Sequence, residues 1–179
     1  MITTERLILR PFTYTDAADM LTYWISDPAI QFMYSEPVYT TKEEVKELLD
    51  KYIGSYDRPD YYRWAFIEKS SGICIGQIAI FLVDNKNHFC EIEYCLGSKF
   101  HRKGYMTEAV KAIIGFIFNR VNFHKVQVCH KENNIASQGV IRKCNFVYEG
   151  KLRDYFYMDR RYVSRLYYSI LREEYLNSK

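Results

Sequence analysis

The chain carries none of the short signatures that most directly betray a metal or a nucleotide. No C-x-x-C pair occurs among Cys74, Cys90, Cys95, Cys129 and Cys144, and no histidine stands at zinc-finger spacing from them. Cys129 and His130 are neighbours but have no second pair nearby, so no metal is expected. An odd, scattered set of this kind reads as reduced, mainly buried thiols of a cytosolic protein. Neither G-x-x-x-x-G-K-[ST] nor G-x-G-x-x-G is present, which excludes a Walker loop and a dinucleotide fingerprint. No apolar run approaches membrane-spanning length, and Met1 to Glu5 reads as neither a signal nor a transit peptide. A cytoplasmic location with no membrane partner is therefore expected. The net charge of +3 is too small to argue for nucleic acid.

What is abundant is aromatic: seventeen tyrosines and an aromatic content of 17%. Tyrosine at this level suits half-buried strands and the walls of clefts, and specifies no ligand. With 179 residues, 48% of them hydrophobic, the chain has the size and apolar content of one domain. No linker, repeat or low-complexity segment interrupts it, so residues 4–175 are expected to form a single domain.

Periodicity lays out the elements. Arg6 to Phe12 reads as a strand stopped by Pro11, and Asp16 to Ile25 as a helix after the capping candidates Thr13 to Asp16. Ser26-Asp27-Pro28 reads as its end, and Ile30 to Tyr39 as a loop or short extended piece. A second helix starts near Thr40 or Thr41, each followed three residues later by glutamate in a capping-box spacing. Strands follow at Tyr62 to Glu68, Cys74 to Val83 and His88 to Gly97, with a hairpin turn at Ser70-Ser71-Gly72. The period then changes to that of a helix running to about Val121. A strand over Lys125 to His130, a short helix over Asn134 to Cys144 and a strand over Phe146 to Glu149 come next. Lys151 to Arg161 reads mostly as loop, and Tyr162 to Leu171 as the last strand. The expected class is α/β (α+β), with a mixed, mostly antiparallel sheet of about seven strands and about four helices.

The stretch His101-Arg102-Lys103-Gly104-Tyr105-Met106-Thr107-Glu108 joins the strand through Glu91 and Leu96 to the long helix. A basic, glycine-containing turn entering a helix N-terminus is an anion-binding corner, because the first N–H groups lack helical acceptors and the peptide dipoles favour negative charge. By itself such a corner is more often a solvated helix start.

The element order resembles the GCN5-related N-acetyltransferase (GNAT) fold. Thr4-Glu5-Arg6-Leu7-Ile8-Leu9-Arg10-Pro11-Phe12 resembles the opening of the subgroup typified by ribosomal-protein N-terminal (alanine/serine) acetyltransferases. Glu91 to Gly97 followed by Arg102 to Ala109 resembles the family's strand and pyrophosphate loop. Asn134-Ile135-Ala136-Ser137, with Val140, Lys143, Phe146 and Glu149-Gly150 after it, resembles the subgroup's N-x-x-S…K-x-G-F…E-G pattern. Departures occur at His101, Arg102, Met106, Glu93 and Cys144-Asn145, where the family has other residues.

The resemblance implies acetyl-CoA (coenzyme A) as co-substrate. Its pyrophosphate would be bound by the main chain of Arg102, Lys103, Gly104, Tyr105, Met106 and Thr107. Its pantetheine arm would lie where central strands splay, pairing near Cys95, Leu96 and Gly97 and meeting Asn134. Many relatives place a general-acid tyrosine where Ile141 stands, so the resemblance implies Ser137 instead. Glu91 and Glu93 lie two apart on a strand and share a face, which makes both candidates for taking the amine's proton. A polar edge, or pairing with arginine or lysine, accounts for them equally. The implied reaction is direct transfer of an acetyl group to a primary amine, on a small molecule or a protein N-terminus. Tyr34, Tyr39, Tyr155, Phe156 and Tyr157 are candidate walls of an acceptor slot. A non-catalytic acyl-CoA-binding sensor or interaction module is the alternative, and both a monomer and a homodimer are compatible with the sequence.

Overall fold

The computed structural model describes residues 1–178. In chain order its strands are β1 (Ile2–Thr3), β2 (Leu7–Arg10), β3 (Tyr62–Glu68), β4 (Cys74–Asp84), β5 (Phe89–Leu96), β6 (Lys125–Lys131), β7 (Val147–Met158) and β8 (Arg161–Leu171). Its helices are α1 (Ala17–Tyr23), α2 (Pro28–Tyr34), α3 (Lys42–Ile53), α4 (Tyr105–Phe116), α5 (Ile135–Lys143) and α6 (Arg172–Asn177). The strands form a sheet in the order β1-β2-β3-β4-β5-β6-β8-β7. The pairs β1/β2, β2/β3, β3/β4, β6/β8 and β7/β8 are antiparallel. The β5/β6 pair is parallel, from Phe89↔Lys125 to Ile92↔Val128. The expected mixed, mostly antiparallel α/β sheet is therefore present, with one short extra strand at the start and more helices than foreseen.

Two expectations fail for identifiable reasons. Residues 30–39 are not simply loop, because α2 occupies Pro28–Tyr34. Ser26-Asp27-Pro28 follows the end of α1 at Tyr23 but also starts a helix: Asp27 Oδ1 accepts from Ala29 N (2.9 Å) and Ile30 N (3.4 Å), and Pro28 sits in the first turn, where its missing N–H costs nothing. Residues 151–161 are not mostly loop either, since β7 runs on to Met158 against β8. Irregular register hid it. Leu152 pairs with Arg165 and Phe156 with Val163, so three β7 residues stand opposite the single residue Ser164.

The chain divides into two compact units. The first comprises Met1–Phe81 and Tyr94–Ala112. Its core joins Phe12, Met20, Trp24, Ile25, Val45 and Leu49 to Ala65, Ile67, Cys74 and Cys95, so α1 and α3 pack against sheet residues. Of the two capping boxes the sequence offered for α3, Thr41/Glu44 is formed, with Glu44 N donating to Thr41 Oγ1 (3.2 Å) and Thr41 N to Glu44 Oε2 (2.9 Å). The second unit holds Leu82–Glu93 and the chain from Ile113 onward. Its fully buried residues include Ile113, Ile117, Val126 and Ile141. Among the described residues, no helix is long and apolar enough to cross a membrane.

Candidate active site

In the first unit, the corner entering α4 is built by an arginine from β2's approach. Arg6 Nε and Nη2 both reach Glu108 Oε2 at 2.7 Å, and Arg6 N donates to Glu108 Oε1 at 2.8 Å. Thr4 Oγ1 donates to the same oxygen at 2.6 Å. Burial of Glu108 opposes ionisation, yet the Thr4 and Arg6 donors outweigh it and hold the carboxyl below its ordinary pKa. The remaining guanidinium nitrogen, Arg6 Nη1, donates to the Lys103 carbonyl at 2.7 Å. A trans peptide points its C=O and the following N–H in opposite directions. With the Lys103 carbonyl turned to Arg6, the Gly104 N–H faces away from the protein's own clamp.

The backbone of the corner completes the anion geometry. Arg102 and Gly104 have left-handed φ values of 59° and 85°. Two such residues within three positions curl successive N–H groups into a concave nest. The first helical bond runs from Glu108 N to Gly104 O at 3.0 Å, so the N–H groups of Tyr105 and Met106 precede the helical ladder. A Cβ at Gly104 would come 3.2 Å from Arg6 Nη2, so glycine serves both the positive φ and the closeness of the clamp. The departures at His101 and Met106 do not crowd the nest. His101 Nε2 turns back to Leu96 O at 2.9 Å, and Met106 is buried. Tyr105 stacks beneath the Arg6 guanidinium, 4.5 Å from ring centre to carbon, and its hydroxyl donates to Glu68.

The end of β5 belongs to the same unit. Cys95 and Leu96 are buried, and the Cys95 carbonyl oxygen would lie 2.4 Å from a Cβ on Gly76. Gly76 therefore permits close contact between β4 and β5 there. Gly97 N donates to Ile75 O at 2.9 Å. By the same trans-peptide rule, the Leu96 N–H is directed away from the Cys95 carbonyl. These are the main-chain groups to which the GNAT resemblance assigns the pantetheine arm.

The second unit holds the other candidates. Asn134 caps α5, its Oδ1 accepting from Ser137 N at 3.1 Å, while Asn134 N donates to Lys131 O at 2.8 Å. The cap occupies the amide oxygen of Asn134, and its Nδ2 group is a donor. Ser137 lies in the first turn of α5 and is half-buried. Ile141 is fully buried in the core.

Glu91 is 2% exposed and lies in a polar cluster. Its Oε1 accepts from Arg165 Nη2 at 2.7 Å and its Oε2 from Gln127 Nε2 at 2.9 Å. Glu93, half-buried, follows two residues later. Arg165 Nε donates to Cys129 Sγ at 3.0 Å, and burial, then the nearby Glu91, push that thiol up to about 12, away from nucleophilic chemistry. His130 is buried, with Nδ1 donating to Lys131 O at 2.7 Å, and burial lowers its pKa. Arg165, Gln127, Arg6 and Thr4 carried no signal in the sequence as site residues. Their partners lie between 36 and 104 residues away along the chain, beyond any local motif.

A model of the acetyltransferase (GNAT) domain matches residues 6–147. The chain belongs to the GNAT acetyltransferase family. It is an N-acetyltransferase, and the acyl donor of its family is acetyl-CoA. An uncharacterized N-acetyltransferase, p20, of Bacillus licheniformis is 28% identical over 172 residues, 96% of each chain. The solved spermidine N-acetyltransferase of Vibrio cholerae, in complex with CoA and spermine, superposes with a TM-score of 0.82 at 22% identity, covering 96% of this chain and 99% of that one. The ribosomal-protein-S5-alanine acetyltransferase of Vibrio fischeri gives 0.81 at 21% identity, covering 96% of both. The subgroup suggested by the motifs is thus represented among the proteins that share this fold.

Proposed function

We propose that this GNAT enzyme moves the acetyl group of acetyl-CoA to a primary amine by direct attack, with the corner at residues 101–108 binding the donor's pyrophosphate. The observation that carries this reading is the Arg6–Lys103 contact, which turns the Gly104 N–H outward into a nest already curled by Arg102 and Gly104. Acetyl-CoA, when bound, supplies a thioester carbonyl for the amine to attack. Asn134 Nδ2 donates to the pantetheine arm while its oxygen keeps α5 capped. The Ser137 hydroxyl protonates the departing thiolate. Glu93, two residues along β5 from Glu91 and on the same face, takes the amine's proton, directly or through water. The acceptor is a small-molecule amine or a protein N-terminal amine.

An amine panel followed by release of free thiol tests the reaction. In Ser137→Ala and Glu93→Gln, kcat falls on the order of 10²-fold or more while acetyl-CoA affinity is kept, the scale of a lost general acid or base. Unchanged kcat in both variants would remove these residues from the mechanism and leave positioning as its source.

A further inference from the structure

The Arg165 side chain touches more than the reaction scheme uses. Its guanidinium joins three strands besides its own: β5 through Glu91 Oε1 (2.7 Å), β6 through Cys129 Sγ (3.0 Å) and β7 through the Tyr155 hydroxyl oxygen, which accepts from Nη1 at 3.1 Å. Its carbon also lies 5.0 Å from the Tyr155 ring centre and 4.7 Å from that of Tyr167. The side chain of Arg165 is 14% exposed and that of Glu91 3%, whereas Tyr155 is 51% exposed. An exposed tyrosine is thus fastened to a buried ion pair.

The backbone is distorted at this place. The three residues Arg153, Asp154 and Tyr155 stand opposite the single residue Ser164, and Asp154 takes a left-handed φ of 52°. A non-glycine residue held there is strained, and such strain persists where the surroundings enforce it. The bulge brings Tyr155 over Arg165. It also lines an open groove of about 770 Å³ bounded by Lys151, Leu152, Arg153, Asp154, Tyr155 and Ser164. Of the charged side chains in that lining, Lys151 is paired with Glu132 at 2.7 Å. The tyrosine oxygen accepts from a cation, which polarises the phenol and strengthens its O–H as a donor.

The groove is connected to the proposed catalytic turn within the same unit. Lys131 is the register partner of Arg165, its Nζ lies 5.0 Å from the Phe156 ring centre, and its carbonyl accepts from Asn134 N at 2.8 Å. We propose that Arg165 is a positioning residue that fixes the Tyr155 hydroxyl as a hydrogen-bond donor to an oxygen of the amine acceptor. This rests on the acetyltransferase reading above, and it selects acceptors that carry a carbonyl or carboxylate oxygen near the amine.

Steady-state kinetics separate the two. Wild type and variants are assayed with acetyl-CoA against an alanine-terminated hexapeptide amide, free alanine and spermidine, the first two distinguishing a peptide carbonyl from a free carboxylate. Absence of thiol release with any amine would fail the acetyltransferase reading itself. With that reading intact, Tyr155→Phe raises the KM of the oxygen-bearing acceptor about tenfold while leaving kcat and the acetyl-CoA KM roughly unchanged. Arg165→Lys, which cannot span the same partners, gives a similar rise, and the double variant is no worse than Arg165→Lys alone. Equal acceptor KM in wild type and Tyr155→Phe, multiplicative effects of the two substitutions, or turnover confined to spermidine overturns the proposal. Should Arg165→Lys fail to fold, the Tyr155→Phe result decides alone.

Discussion

Single side chains set the chemistry of this protein by where their charges are tied down. Arg6 binds Glu108 on one side and the Lys103 carbonyl on the other, so a residue near the chain start shapes a turn about a hundred positions later. Lys131 is a different case, a buried cation set over the Phe156 ring. Burial lowers its ammonium pKa from 10.5 to about 8. Between those values the unfolded chain binds more protons than the folded one, so this group's contribution to stability is lost as pH falls from about 10.5 to about 8. Below that window the full cost of burying the charge is present. Lys131→Met is expected to raise unfolding free energy by roughly 1–3 kcal/mol at pH 7. Urea unfolding at pH 7 and pH 10 checks it: the gain shrinks at the higher pH, and an equal or negative gain at pH 7 contradicts the assignment.

At the scale of elements, caps and bulges decide what the sequence disclosed. The Asp27 carboxylate anchors α2, and Asp27→Ala is expected to lower stability by about 1 kcal/mol. Amide exchange should quicken over residues 28–34 and stay unchanged in α3, whose Thr41/Glu44 box is independent. Uniform acceleration across both helices would contradict a local role. Most of the sheet was legible because β3, β4, β5 and β6 carry dense runs of β-branched and aromatic residues broken by clear turns. The helix α4 was legible from its change of period. α2 was missed because Asp-Pro serves equally as a stop and as a cap followed by a first turn. The outer half of β7 was missed because its bulge breaks alternation at Arg153 to Tyr155, where the period-two signal is the only local evidence of a strand. The same bulge is where the tyrosine meets Arg165, so the feature that concealed the strand also shapes the groove.

Across the whole molecule, membership of the GNAT family rests on most of the chain, residues 6–147, and the likeness in fold extends over 96% of it. The order of the motifs made the family legible in the sequence. The supports of the site were not: Arg6 with Glu108, and Arg165 with Glu91, are joined only by folding. The account stands or falls on the corner at residues 101–108 being a pyrophosphate site held in shape by Arg6. Calorimetric titration of CoA and of pantetheine, which lacks the pyrophosphate, into wild type and Arg6→Met tests this most directly. The account predicts that Arg6→Met weakens CoA binding on the order of tenfold or more, because the peptide carrying the Gly104 N–H is released, while pantetheine binds equally to both proteins. Equal CoA affinity in a folded Arg6→Met protein, or an equal loss for both ligands, would contradict it.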